Sequence, residues 1–386
     1  MNSSSATLLA PPRPDRLTEL ALTLTALVGE YALLIMPFIL VAMMQTAQIS
    51  EAAAGRLVTL ELIFMAIGSA LVSASLRPGR SVRPILAAAS LAILAANVLC
   101  ALAHSPGPFA VGRALTGLGE GAVMATASAA VCATANPHRL FSMIGTAVAV
   151  AASVALFAAP VLTQHAGPGS LFGMLAVVPL LLLPCLSRIP IPQDAVATVS
   201  GMRVQARLAS AALLVGFFLL WCGASGLWVY AERIGADQSL SPTEVGMWLG
   251  VGQLAGIPGP IVAAWVGPRI GLRLSLAAGC LGMAVAAAFF IFGDRGWTYG
   301  LGGCLASFWI MFVVPCFRSQ MAAVDASGRA VALSAGFYTV GFGAAPLVVS
   351  AIHTEGDRFA STALFCIACF LLSAGLASAV SRRSAS

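Results

Sequence analysis

The feature that most limits what this chain can become is a succession of long apolar runs almost free of charge. They fall near residues 17–41, 52–76, 84–103, 109–135, 140–165, 170–187, 208–231, 243–266, 273–293, 297–322, 330–352 and 359–381. Roughly 20 apolar residues take a helix across a bilayer, so the pattern predicts twelve transmembrane helices. In hydrocarbon every backbone N–H and C=O must find its partner within the protein, which a helix achieves alone. The expected fold class is therefore an all-α membrane protein. Of 386 residues 59% are hydrophobic and 9% charged, which leaves no room for a large extramembrane domain and excludes most soluble enzyme folds.

Residues 1–16 are rich in Ser, Pro and Ala, with Arg13, Asp15 and Arg16 just before the first run. No short apolar stretch with a small-residue cleavage site follows, so this segment reads as a cytosolic tail and not as a signal peptide. All 20 basic residues are Arg. If both termini are cytosolic, positions 13, 16, 77, 80, 83, 139, 188, 203, 207, 269, 273, 329, 382 and 383 lie inside. Only Arg56, Arg233, Arg295 and Arg358 lie outside, and Arg113 and Arg318 fall within spans. That asymmetry predicts a multi-pass protein of the cell (inner) membrane with both termini cytoplasmic. Spread over loops on one side, the net charge of +6 does not form a nucleic-acid surface.

An internal repeat sets the expected architecture. Residues 49–55 match 240–246, and Gly68 and Gly259 keep the same spacing. The turn Arg77-Pro78-Gly79-Arg80 then meets Arg269-Ile270-Gly271-Leu272, and Ala158-Ala159-Pro160 matches Ala344-Ala345-Pro346 more weakly. Ser241, Pro242 and Glu244 form a capping box that starts the eighth span. The connection 188–207, with Pro190, Pro192, Gln193 and Asp194, divides the spans six and six. Two bundles, 17–187 and 208–381, are expected, flanked by the tail 1–16 and a short tail 382–386.

Two parallel six-helix bundles, each with an Arg-x-Gly turn between its second and third helices, resemble the major facilitator superfamily over the whole chain. The loop signature G-x-L-x-D-R-x-G-R-[RK] survives as Arg77, Gly79 and Arg80, with Val72 and Leu76 in place of its Gly and Asp. The fourth-span signature R-x-x-x-G-x-G is intact as Arg113, Gly117 and Gly119, followed by Glu120 and Gly121. What the resemblance implies is a transporter that rocks two bundles around a central site. In that fold the first and fourth spans line the central cavity with the seventh and tenth. Arg77, Gly79, Arg80, Arg269 and Gly271 would be its conformational loops.

Charges inside a membrane are expensive, and each is a functional candidate. Glu30, Glu61, Arg113 and Glu120 qualify, all in the amino-terminal half. Arg113 and Glu120 are seven apart and share one helix face, with Thr116 and Gly117 between them. Glu30, near the middle of the first span, is suited to load and release a proton. Either these groups handle protons, or Arg113 and a glutamate form a static pair that makes insertion tolerable. Glu61 faces the cavity or pairs with Arg113. Arg318 is read as snorkelling to the cytosolic surface, and Glu232 with Arg233 as interfacial. The arrangement is similar to the organic anion:proton symporters and the Spinster branch of the superfamily. That likeness implies Glu30 and Glu120 as proton carriers and Arg113 as their partner or the substrate's. Tyr31 stands where the anion symporters place a second Arg.

All six tryptophans lie in the carboxy-terminal half. Trp221, Ser225 and Trp228 recur along the seventh span and Trp309, Phe312 and Cys316 along the tenth, so with Tyr31 and Thr116 they could line the substrate cavity. Interfacial anchoring is the other reading of tryptophan, preferred for Trp265 and Trp297. Gly336, Gly341 and Gly343, followed by Pro346, make the eleventh span a flexing element or a close-packed one. Nine scattered cysteines, of which only Cys366 and Cys369 form C-x-x-C, and four histidines without ligand spacing predict no metal site, no disulfide framework and no cofactor.

No H-E-x-x-H, phosphate loop or ATP-coupling sequence is present. The expectation is no enzyme but a secondary transporter, read as a monomer since nothing in the sequence demands an oligomer, with a small organic solute, protons and the lipid bilayer as its partners. Symport and antiport stay open. Of the G-P-x-x-G-G stretch of drug antiporters the fifth span keeps only Pro160. A non-transporting receptor is the reading from another class.

Overall fold

The computed structural model describes residues 14–75, 81–132, 134, 137–190, 204–293, 295–325, 329–354 and 356–383. The linker residues 191–203 and the loop residues Arg77, Gly79 and Arg80 lie outside that set. In order the helices are α1 (Arg16–Leu34), α2 (Met36–Ala47), α3 (Glu51–Ser75), α4 (Arg83–Leu102) and α5 (Pro106–Cys132). There follow α6 (Pro137–Ala166), α7 (Ser170–Leu182, running on as a 3-10 turn to Arg188), α8 (Val204–Val229), α9 (Ala231–Asp237) and α10 (Pro242–Ala255). The last five are α11 (Pro258–Ile270), α12 (Leu272–Phe292), α13 (Gly296–Val324), α14 (Arg329–Ile352) and α15 (Ala360–Arg383). Twelve spans are long and apolar enough to cross a membrane. Three of the expected spans are interrupted: the first at Ile35, the seventh at Tyr230 and the eighth at Gly256-Ile257.

The first interruption has a local cause. Pro37 has no N–H to give to the Leu33 carbonyl four residues back, so the helix cannot run on unbroken. Ile35 bends out of the helical region and caps α1 by bonding back to Ala32. The freed Leu33 oxygen accepts a hydrogen bond from Trp228 Nε1 in α8 at 2.7 Å. Pro346 acts likewise in α14: it frees the Phe342 carbonyl, which accepts from Ser225 Oγ at 2.7 Å.

Helices α1–α7 pack mainly on one another, as do α8–α15, and the broad contacts between the two sets are α3 on α14 and α6 on α10. The atoms in contact lie in the half of each span remote from the chain termini. Thr59 donates to the Gly343 carbonyl at 3.0 Å and Ser153 to the Gly250 carbonyl at 2.9 Å. Gly55 faces the Tyr230 hydroxyl and the Pro346 carbonyl, and Gly246 faces the Leu156 carbonyl and the Pro160 ring. Gly55 and Gly246 are equivalent in the sequence repeat. Each seats a glycine against a proline-bent helix of the other set, so the far side is closed by two like contacts. One hydrophobic core runs across both sets there. A second, confined to the amino-terminal set, fills the end nearer the termini.

A polar clasp reinforces the closure. Arg233 Nε donates to Glu51 Oε2 at 2.8 Å, while the His353 ring, stacked on Phe359 at 4.1 Å, lies 3.9 Å from Glu51 and 2.8 Å from Asp357. Burial works upward on the Asp357 carboxyl, but the Ser361 hydroxyl and His353 outweigh it and hold the group below the ordinary aspartate range. Within this clasp Arg233 ties α9 to α3, and its neighbour Glu232 is buried. Toward the termini, by contrast, the α14 face that carries Gly343 is unpacked at Gly336, two turns earlier. A Cβ on Gly145 or Gly336 would meet nothing within 4 Å. The molecule is closed at the far side and open toward its termini.

A Cβ on Gly246 would approach the Leu156 oxygen to 2.6 Å, so the variant Gly246→Val is expected to wedge the closed side apart. In a cysteine-free background, Ala54→Cys, which is buried in the wild-type arrangement, should become labelled by an impermeant thiol reagent. Gly336→Cys should become less so. Unchanged labelling at both positions would contradict the assignment of this contact to the seal.

Candidate functional site

The amino-terminal set is built around a guanidinium. Arg113, wholly buried in α5, donates from Nε to Glu61 Oε2 at 2.9 Å and from Nη2 to Glu61 Oε1, the two-pronged geometry in which Arg and carboxylate match best. Its Nη1 donates to Asn97 Oδ1 at 3.2 Å, and Asn97 Nδ2 in turn donates to the Ile93 carbonyl at 2.9 Å. Phe172 of α7 covers the cation, its ring centre 5.9 Å from Cζ. Glycine makes this possible. A methyl group on Gly117 would strike the Glu61 carbonyl, and one on Gly121 the Met65 carbonyl, so the intact fourth-span motif lets α5 press its backbone onto α3. Of the two sequence readings for Glu61, the structure takes the pair.

Glu120 lies one face-turn further along α5. It is 2% exposed, and its Oε2 has no partner among the described residues. Thr116, expected at the cavity, is instead fully buried, and its hydroxyl, like that of Ser90 on α4, has no partner among the described residues. Glu30 differs from all of these. It is partly exposed, and among the described residues no cation pairs with it. Tyr31 beside it is half-buried where the two cores meet.

Across from α1, Trp221 of α8 packs edge-on against Tyr338 of α14, centroids 4.5 Å apart, with Phe217 and Phe342 completing an aromatic group. The Trp221 indole N–H is buried without an acceptor among the described residues. The other aromatic stripe is displaced from its expected place. Trp309 packs into the space at Gly282 of α12, and Phe312, 2% exposed, sits against Gly279 and the α11 segment at Gly259. Those glycines open slots that turn the stripe toward its own bundle. Ser225 and Trp228 are likewise engaged by carbonyls, as described above. Gly271 ends α11 at φ +81, a conformation that favours glycine, and Arg269 stacks over Trp265 at 4.5 Å.

Two participants escaped the sequence. Asn97 gave no signal beyond being the only amide in its span. Tyr338 could have been found as the one phenol on the glycine-rich eleventh span.

The family model described as Major Facilitator Superfamily matches residues 20–346. Curated protein sequences yield no match. Among solved structures, a D-xylose-proton symporter is similar with a TM-score of 0.73 at 15% identity, over 92% of this chain and 96% of that one. The nucleoside transporter NupG gives 0.72 at 13% identity, over 95% and 99%. A peptide transporter, POT, gives 0.76 at 13% identity, over 97% of each. At such identities the likeness is one of fold.

Removing one member of a buried ion pair strands the other, at a cost of about 3–5 kcal/mol, whereas replacing both by apolar residues is often neutral. Arg113→Met alone is therefore expected to lower the melting temperature of the purified protein sharply. The double variant Glu61→Leu with Arg113→Met should recover most of the loss. A double variant no more stable than the single one would contradict a structural role for the pair.

Proposed function

The chain belongs to the major facilitator superfamily, and from that premise we propose that it is a proton-coupled secondary transporter of a small organic solute, working by alternating access. The observation that carries this reading is the contrast among the intramembrane acids. Glu61 is held by Arg113 on both oxygens. Glu30 is partly exposed and unpaired among the described residues. An acid that exchanges protons has to reach water in one state and lose it in another. Glu30 meets that requirement on the open side, and Glu120, with one unpartnered oxygen, is the second proton site. Arg113 serves chiefly to hold α3, α4 and α5 together beside them. The name of one similar structure, a D-xylose-proton symporter, agrees with coupling of this kind.

With both termini in the cytosol of a cell whose inner membrane the chain spans, the arrangement described here faces the cytosol. The far-side seal then has to open for the solute to reach the other compartment. Trp221 and Tyr338 supply an aromatic wall suited to an organic solute. The protein acts as a monomer, with the bilayer as its surroundings.

The test is pH change on adding a panel of small organic solutes to proteoliposomes. Wild-type protein is expected to move protons with at least one solute, and the sign assigns symport or antiport. Glu30→Gln and Glu120→Gln should each abolish the proton signal. Solute flux with no accompanying proton movement in the wild type would overturn the proposal.

A further inference from the structure

The closed far side carries a titratable group that the transport cycle proposed above does not use. His353 directly follows α14, and its ring stacks on Phe359 with centroids 4.1 Å apart, which fixes the plane of the imidazole. Nδ1 lies 2.8 Å from Asp357 Oδ1, and Nε2 lies 3.9 Å from Glu51 Oε1. Asp357 belongs to the same helix set as His353, whereas Glu51 opens α3 of the other set. The ring therefore stands across the joint between the sets. One turn along α3, Gly55 meets the Pro346 carbonyl and Ser350 of α14, so this joint is one of the two contacts that close the far side.

The two oxygens of Glu51 are unequally served. Oε2 accepts from Arg233 Nε at 2.8 Å, but Oε1 is buried with no hydrogen-bond partner among the described residues. A neutral imidazole carries one N–H. With that proton on Nδ1, toward Asp357, Nε2 turns only a lone pair to Oε1. A protonated ring carries an N–H on both nitrogens, and Nε2 then supplies the donor that Oε1 lacks once a small side-chain rotation shortens the gap. The charges agree. Around the ring stand Glu51 of α3, Arg233 of α9 and Asp357, while Arg358 lies 3.6 Å from Asp237. Arg56, five residues along α3, is exposed, and the Tyr230 hydroxyl donates to the Pro346 carbonyl. Two carboxylates against one guanidinium leave an excess negative charge, to which the buried Glu232 can only add. A charged His353 cancels it.

Resting on the alternating-access reading above, in which this joint parts and reforms, we infer that His353 is a proton-operated latch: its protonated ring ties Glu51 across the joint, so acid on the far side holds that side shut. His353 keeps Asp357 in either state, but only the closed state supplies Glu51. Protonation and closure therefore favour each other. The closed form gains as pH falls through the imidazole range, from about pH 8 to about pH 5, and loses that gain as pH rises. This proton comes from the far side and returns to it, so it regulates the cycle without being carried.

The test measures the width of the far side in the purified full-length protein, by double electron–electron resonance between spin labels on Ser105→Cys and Ala236→Cys, both exposed there. The background is cysteine-free and carries Glu30→Gln and Glu120→Gln, so that neither acid titrates. Distances are recorded with and without Gly246→Val, whose weakened seal populates both forms. The ratio of closed to open populations in Gly246→Val is expected to rise about threefold or more from pH 8 to pH 5. His353→Gln should abolish that dependence. His353→Arg, charged throughout, should keep the closed population high at both ends of the range. A pH response that survives in His353→Gln, or a ratio that Gly246→Val changes but pH does not, would overturn the latch and leave alternating access standing. A separation unmoved by pH, by Gly246→Val and by the solute panel alike would overturn the latch together with the reading on which it rests.

Discussion

A guanidinium removed from water has to be met entirely by protein, and the amino-terminal helices are arranged to do so at Arg113. The demand reaches through several levels of structure. Two carboxylate oxygens of Glu61 and one amide oxygen of Asn97 draw α3 and α4 to α5, and Gly117 and Gly121 let the backbones come close enough. Phe172 closes the remaining face from α7. A bundle pinned in this way can turn as one body, as the proposed alternating access would require. Because the pair satisfies its charges internally, the neighbouring acids Glu30 and Glu120 are free of that duty.

The contact between the two sets of helices follows from a different constraint. A proline within a span leaves the carbonyl four residues earlier without its donor, and in hydrocarbon no water replaces it. Here these carbonyls became attachment points. Leu33, freed by Pro37, takes the Trp228 indole from the opposite set. Phe342, freed by Pro346, takes Ser225 within its own. Leu156, freed by Pro160, lies under Gly246 of the opposite set. Bends and cross-links thus have a common origin. The resulting seal combines backbone acceptors, glycine contacts and a clasp at Glu51, all of which can part and reform without breaking a helix.

Much of this was legible in the sequence. Twelve apolar runs gave the twelve spans, because length and hydrophobicity alone decide whether a helix crosses. The repeat located Gly55 and Gly246, whose shared role appears only when each is seen against its proline partner. The buried charges were identifiable one by one, since each is anomalous among apolar neighbours. Their pairing was not. Glu30, Glu61 and Glu120 are equally plausible partners for Arg113 until the rotation of each helix is fixed, and rotation depends on which glycines press against which backbones. The stripe at Trp309 and Phe312 misled for the same reason: its spacing gave one face, and slots at Gly279 and Gly282 decided where that face turned.

Central to the account is a division of labour in which Glu61 stays ionised and paired while Glu30 exchanges a proton with solute. Infrared difference spectroscopy of the reconstituted protein, recorded on solute addition and compared with Glu30→Gln and Glu61→Gln, observes the carboxyl groups directly. The account predicts a change in a protonated-carboxyl band that disappears in Glu30→Gln, and a Glu61 carboxylate signal that does not respond to solute. A solute-induced band that persists in Glu30→Gln and disappears in Glu61→Gln would contradict it.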